Sequence, residues 1–254
     1  MSAHPDQVET VSSRRAVAAR GFSLVDLLVS LTIIAVLIGI LLPSLARINE
    51  TTRRVICRSN LRQVAIGVSM YASDNSGFLP RSQYVSTTGL GGRSSLTTTL
   101  RVDESGGTRA PRRTDFDGLG MLYMREYLLA PKIFYCPSHS GANPFARFTN
   151  QWAGSPGVIF GNYQFRGTMA NGSRLLNVED EFSGAALVSD GLASVNDFSH
   201  RTGLNLMRAD LSVTWLSDDD RSIRARIATP GSRDQAVGQT WPLLDRALGV
   251  VRDR

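Results

Sequence analysis

Residues 22–42, FSLVDLLVSLTIIAVLIGILL, form an apolar run of 21 residues whose one formal charge is Asp26. As a helix rising about 1.5 Å per residue it spans roughly 30 Å, the thickness of a bilayer's hydrocarbon core. A secretory signal has an apolar stretch of only about 7–15 residues followed by a small-residue cleavage site. This run is longer, and PSLARINETTRRVICRSN, directly after it, contains no such site. The segment therefore reads as a membrane anchor, preceded by a polar leader (1–21) that ends in the basic Arg14, Arg15 and Arg20. Charge on the leader favours a cytoplasmic N-terminus, but Arg47, Arg53, Arg54 and Arg58 beyond the run weaken that vote, so charge alone leaves the topology open. A carboxylate within such a segment costs on the order of 2.5–3.5 kcal/mol, so Asp26 needs a partner or a wet interface.

The chain beyond this run must fold in water. It has 254 residues in all, 42% of them hydrophobic, enough for one anchor and a globular part with its own core. Its net charge of +6 comes from scattered arginines, and no basic patch interleaved with aromatics forms, which argues against a nucleic-acid partner. The two cysteines, Cys57 and Cys136, show no CxxC or Cys/His spacing, so no metal ligand set is expected from them. Outside the cytosol, two cysteines are what one disulfide needs.

After Pro43 the helical pattern continues but turns amphipathic to about residue 73. Leu45, Ile48, Thr52, Val55, Cys57, Leu61, Val64, Val68 and Tyr71 recur at spacings of mostly three and four, and SDNSGFLP at 73–80 is a stop signal. Residues 82–115 are rich in Ser, Thr and Gly and read as a flexible surface loop with at most one short strand. A short helix over 118–128 and an extended piece carrying Cys136 come next. The spacing then predicts strands at 157–166, 184–190, 204–209 and 211–216, the last two forming a tight hairpin around Ala209, Asp210 and Leu211, and a short helix over 241–251. A disulfide between Cys57, on the buried face of the long helix, and Cys136 would staple the helix to the head.

The stretch RGFSLVDLLVSLTIIAVLIGILLPSL resembles the N-terminal cleavage and methylation segment of type IV prepilins and type II secretion pseudopilins: a basic leader, Gly, an aromatic, Ser or Thr, Leu, Val, an acid and an apolar helix, with Pro43 where the family commonly has one. The family acid is usually Glu; here it is Asp26. The resemblance implies cleavage between Gly21 and Phe22 by a prepilin peptidase, N-methylation of Phe22, and pairing of Asp26 with a neighbouring subunit's amino terminus during assembly. A second resemblance lies in DFSHRTGLNLMRADLSVTW, similar to the H-x9-D-G motif of a family of prepilin-like proteins, matched at His200, Gly203, Asn205, Ala209, Asp210 and Val213 but carrying Leu211 where the family has Gly. His200 and Asp210 are expected to hold a turn together.

These resemblances imply a pilin-like α+β protein: a leader (1–21), a membrane half-helix (22–42), an amphipathic half-helix (43–73) and a head (74–254) with a small antiparallel sheet. The expected function is structural, as a subunit of a type II secretion pseudopilus or type IV pilus-like filament and not an enzyme. Its partners would be prepilin peptidase, other subunits and the assembly platform. It would sit single-pass in the inner membrane, with a cytoplasmic N-terminus and a periplasmic or extracellular head. Two rivals stay open: a surface-displayed binding module exported by the pilin route without polymerising, and a secreted hydrolase using His200 and Asp210. No cofactor is implied, save that the acidic SDDD at 217–220 invites a Ca²⁺ reading without EF-hand spacing.

Overall fold

The computed structural model describes residues 23–84, 97–192, 194–200, 202–228 and 233–250. The expected cleavage junction at Gly21 and Phe22 lies outside them. Helix α1 covers Leu24–Asp74, 51 residues, and its assignment continues through Pro43. The chain divides into two compact units, residues 1–47 and 48–254.

In the first unit, Leu24–Leu42 is apolar and long enough to cross a membrane, and none of its most apolar window is buried within the chain. Its start is capped locally. The Ser23 hydroxyl accepts from the Val25 N–H at 3.3 Å, and the Asp26 carboxylate accepts from the Ser23 N–H at 3.3 Å. Ser23 and Asp26 thereby form a variant of the capping box, in which the hydroxyl reaches the second rather than the third helical N–H, and which satisfies backbone donors that the first turn leaves free.

In the second unit, the amphipathic part of α1 buries Cys57, Leu61, Val64, Ala65, Val68, Tyr71 and Ala72, the stripe a 3.6-residue period draws. The upstream members of the expected stripe do not join it: Ile48 and Val55 are exposed. The remaining elements are β1 (Thr99–Arg101), α2 (Gly120–Met124), α3 (Thr149–Trp152), β2 (Ile159–Phe160), β3 (Tyr163–Phe165), β4 (Ala186–Asp190), β5 (Gly203–Arg208), β6 (Val213–Ser217), α4 (Ser222–Ala228) and α5 (Arg233–Ala247). Strands β1 and β2 pair antiparallel, and β3-β4-β5-β6 make an antiparallel meander in chain order.

The meander is covered on both faces. Val188 and Met207 join the α1 stripe, Leu122 and Phe134 in one core, while Ala186, Leu204 and Leu206 face Ile223, Ile227, Trp241 and Leu244 in another. Strand β5 shows why: Leu204 and Leu206 point one way, Asn205 and Met207 the other. A register shift between Ala186 and Val188 lets β4 turn the consecutive Leu187 and Val188 into the α1-side core. The short helix expected at 118–128 is cut to Gly120–Met124, the helix expected at 241–251 is α5, which begins earlier and spans Arg233–Ala247, and α4 at Ser222–Ala228 was not expected.

The expectation of a flexible 82–115 loop is corrected in its second half; residues 85–96 lie outside the described residues. Strand β1 is buried, and the Arg101 guanidinium donates to the carbonyls of Gln151, Ser155 and Gly157 at 2.6–3.0 Å. The Asp115 carboxylate pairs with Arg109 at 2.8 Å, which holds it below the usual carboxylate range. Ser, Thr and Gly content concealed this because side chain-to-backbone bonds, not apolar periodicity, order the segment.

The β5–β6 hairpin forms where expected. Val213 pairs with Met207, the Leu211 N–H donates to the Arg208 carbonyl at 3.0 Å, and the Asp210 carboxylate accepts from the Ser212 N–H at 2.8 Å. Leu211 takes φ +68°, the left-handed position a three-residue hairpin loop ordinarily gives to Gly. The left-handed conformation costs a non-glycine residue about 1–2 kcal/mol, offset here because Leu211 packs on the α1-side core. Leu211→Gly should therefore unfold within about 1 kcal/mol of the parent, trading strain for packing. Leu211→Val should cost about 2 kcal/mol or more, since a β-branched residue suits positive φ worst. Urea unfolding of both variants checks this; equal stability of the two would sink the left-handed reading.

Candidate functional site

On the α1-facing side of the meander, four segments deliver side chains to one buried point. Helix α1 brings Cys57 and, two turns earlier, Glu50. The 3-10 turn Pro131–Phe134 leads into Cys136, whose N–H donates to the Asn162 side-chain carbonyl at 2.6 Å. Strand β4 ends in Asp190, and the β4–β5 connection carries His200. Asn205 stands on the same face of β5 as Met207.

One donor atom from each of Cys57, Cys136, Asp190 and His200 lies within 4.8 Å of all the others, and all four residues are buried. The Cys57 thiol is 3.3 Å from Asp190 Oδ2, Cys136 Sγ is 3.4 Å from His200 Nε2, and His200 Nε2 is 3.3 Å from Asp190 Oδ2. A surrounding shell orients these groups. Glu50 Oε1 lies 2.7 Å from His200 Nδ1, and Glu50 Oε2 accepts from the Ser138 hydroxyl at 3.0 Å. Asp190 Oδ2 accepts from the Asn205 backbone N–H at 3.0 Å and from its side-chain amide at 3.2 Å. The Tyr163 hydroxyl sits 3.4 Å from Cys57 Sγ. Asp190 Oδ1, in contrast, is buried with no hydrogen-bond partner.

The electrostatics come from this crowding. Burial pushes the Cys57 thiol up well above its usual value, and hydrogen bonding to Cys136 and the Asp190 charge add to it. Burial would also raise Cys136, but hydrogen bonds to Cys57 and His200 outweigh it and bring that thiol down to about 7. Burial opposes charge on His200, yet Asp190 and Cys136 overcome it and push the imidazole up to about 11. Asp190 and Cys136 thus favour a proton on the imidazole, and Cys57 and His200 favour losing one from Cys136.

Several expected site residues come together here and others do not. Cys57 and Cys136 meet, as a staple between α1 and the head requires, but both are free thiols and the expected disulfide is absent. His200 and Asn205 lie in the cluster. The expected His200–Asp210 partnership is corrected, because both His200 ring nitrogens face Glu50, Asp190, Cys136 and Asn205 while Asp210 holds the hairpin turn. Gly203 is required by close approach, since a Cβ there would run into the Leu216 carbonyl oxygen of β6. The acidic run at 217–220 caps α4: the Asp218 carboxylate accepts from the N–H groups of Ile223 and Arg224 at 2.9 and 3.0 Å. Sequence reading missed Asp190 and Glu50, since neither stands in a spaced motif with the cysteines or His200.

Chemically, Cys136, His200 and Glu50 reproduce the thiol–imidazole–carboxylate order of a nucleophilic relay. Cys136 is only 4% exposed and His200 0%, and a buried convergence of two thiols, an imidazole and a carboxylate is an arrangement suited to ligation. Compared with known protein families, curated proteins and solved structures, the chain matches none.

Proposed function

We propose that this protein is a membrane-anchored structural subunit of a pilin-like filament, matured by a prepilin peptidase. The observation that carries the reading is the Leu24–Leu42 helix, strongly apolar, with Asp26 in its first turn as its one charge and without burial inside its own chain. Leu24 at 78% and Ile40 at 68% exposure need lipid before assembly and the same helix of other copies after it. Residues 20–26, RGFSLVD, supply the cleavage-like junction and the acid five residues into the mature chain. The capping box supports the assembly role of Asp26. Its carboxylate already reaches back to the Ser23 N–H, one residue from the amino terminus that cleavage at Phe22 would create. A neighbour's positive amino terminus would offset the membrane cost of the carboxylate better than a single backbone N–H does.

Intact-mass and N-terminal analysis of the membrane-extracted chain, from cells with and without prepilin peptidase, tests the reading. The expected result is a chain beginning at methylated Phe22 that disappears when the peptidase is absent; a chain starting at Met1 or Ser2 in both would overturn it. Asp26→Ala should be processed normally yet vanish from sheared filaments, and its incorporation at parental levels would refute the pairing.

A further inference from the structure

We propose that Cys57, Cys136, Asp190 and His200 form a closed, four-coordinate site for a thiophilic divalent cation, zinc in the first instance. The geometry is close to that of a tetrahedral centre. With metal bonds of about 2.3 Å to sulfur and 2.0–2.2 Å to nitrogen and oxygen, the edges of such a tetrahedron measure about 3.3–3.8 Å. Three edges already fall at that length: Cys57 Sγ to Asp190 Oδ2 at 3.3 Å, His200 Nε2 to Asp190 Oδ2 at 3.3 Å, and Cys136 Sγ to His200 Nε2 at 3.4 Å. All four donor atoms lie within 4.8 Å of one another, so closure on an ion needs side-chain movements of about 1 Å and no rearrangement of strands.

The shell around the donors is the one a metal-bound imidazole requires. Glu50 Oε1, 2.7 Å from His200 Nδ1, would accept a hydrogen bond from the N–H there and leave Nε2 to present its lone pair to the point where the sulfurs and Asp190 converge. Asn205 fixes the Asp190 carboxylate through two bonds to Oδ2, while Asp190 Oδ1, in a residue 1% exposed, has no hydrogen-bond partner. A buried carboxylate with one oxygen unsatisfied, its other oxygen 3.3 Å from a thiol and from an imidazole nitrogen, is what a bound cation would satisfy. Two thiolates select zinc over calcium or magnesium, which prefer all-oxygen shells. Since every ligand is buried, no position is kept open for substrate, and the ion would be structural. It would tie α1 to the end of β4, to the β4–β5 connection and to the segment after Phe134. Binding releases the thiol protons and the Nε2 proton, so metal and protons compete for the same point. The proposal stands independently of the filament reading.

The test uses the full chain in detergent. Native mass spectrometry after dialysis against zinc should show one zinc per chain with both cysteines reduced, and chelation should lower the thermal midpoint. Titration with Co²⁺ should give one equivalent of intense visible bands of tetrahedral cobalt together with thiolate-to-cobalt charge transfer. Cobalt reads the donor set on the parent chain, so the answer survives if Cys57→Ser or Cys136→Ser fails to fold. Glu50→Gln keeps every ligand and should weaken zinc about 10–100-fold. Octahedral cobalt without charge transfer, zinc retained by the folded Cys57→Ser/Cys136→Ser double variant, or a chain lighter by two hydrogens that takes up no zinc would each overturn the site, the last in favour of a disulfide.

Discussion

Asp245→Ala is expected to destabilise the folded head by about 3–5 kcal/mol, the range for removing one partner of a buried ion pair. Asp245, on α5, is 2% exposed and joins three things at once. Its Oδ2 accepts from Arg166 Nη1 at 2.7 Å, and its Oδ1 accepts from the Ala186 N–H at 2.9 Å where β4 begins. Arg166, just past β3 and 4% exposed, also donates to the Ala186 carbonyl at 3.3 Å. Deleting the carboxylate strands a guanidinium that cannot lose its proton, in a site where Arg166 Nε already lacks a partner, and frees a backbone donor as well. At about 2–4 °C per kcal/mol for a chain of this size, the midpoint should fall by roughly 10 °C. Arg166→Met combined with Asp245→Leu should recover most of the loss, because replacing both charges removes the desolvation cost together with the attraction. Thermal unfolding followed by circular dichroism decides the matter. A single variant with an unchanged midpoint would mean that water reaches the pair.

Leu61→Ala should cost about 2–5 kcal/mol, whereas Ile66→Ala should stay within about 0.5 kcal/mol in the detergent-solubilised monomer. The two residues are both large aliphatics on α1, little more than one turn apart, and the helix turn puts them on different faces. Leu61 is wholly buried in the core with Leu122 and Phe134, while Ile66 is 60% exposed. Truncating Leu61 opens a cavity whose walls belong to packed helix and sheet and collapse only in part. Truncating Ile66 exposes nothing new. Denaturant unfolding of the pair measures the helix register directly, and equal losses would contradict it.

Where an element is set by a local pattern, residue order was enough to identify it. The run at 24–42 declares a helix long and apolar enough to cross a membrane. The repeat of Cys57, Leu61, Val64, Val68 and Tyr71 gives the buried face of α1, because a helix face is a local property with a fixed period. The strands at 184–190, 204–209 and 211–216, and the turn between the last two, were legible for the same reason. Ile48 and Val55 show the limit: the step of two from Val55 to Cys57 breaks the three-and-four spacing, so the upstream apolar residues lie on the opposite face of α1 from the buried stripe and stay exposed.

The cluster lay beyond such reading. Cys57, Cys136, Asp190 and His200 come from a helix, a loop after a 3-10 turn, the end of a strand and a strand connection, and no spacing along the chain encodes their meeting. Likewise the order inside 97–115 rests on Arg101 finding carbonyls some fifty residues away. Local order along the chain determined the long helix, the strands of the β5–β6 hairpin and which segment is apolar enough for a membrane, because those depend on neighbours at fixed offsets. Tertiary structure alone decided which polar groups face one another, because a buried donor or charge is satisfied by whatever the fold brings within about 3 Å, at any distance in sequence.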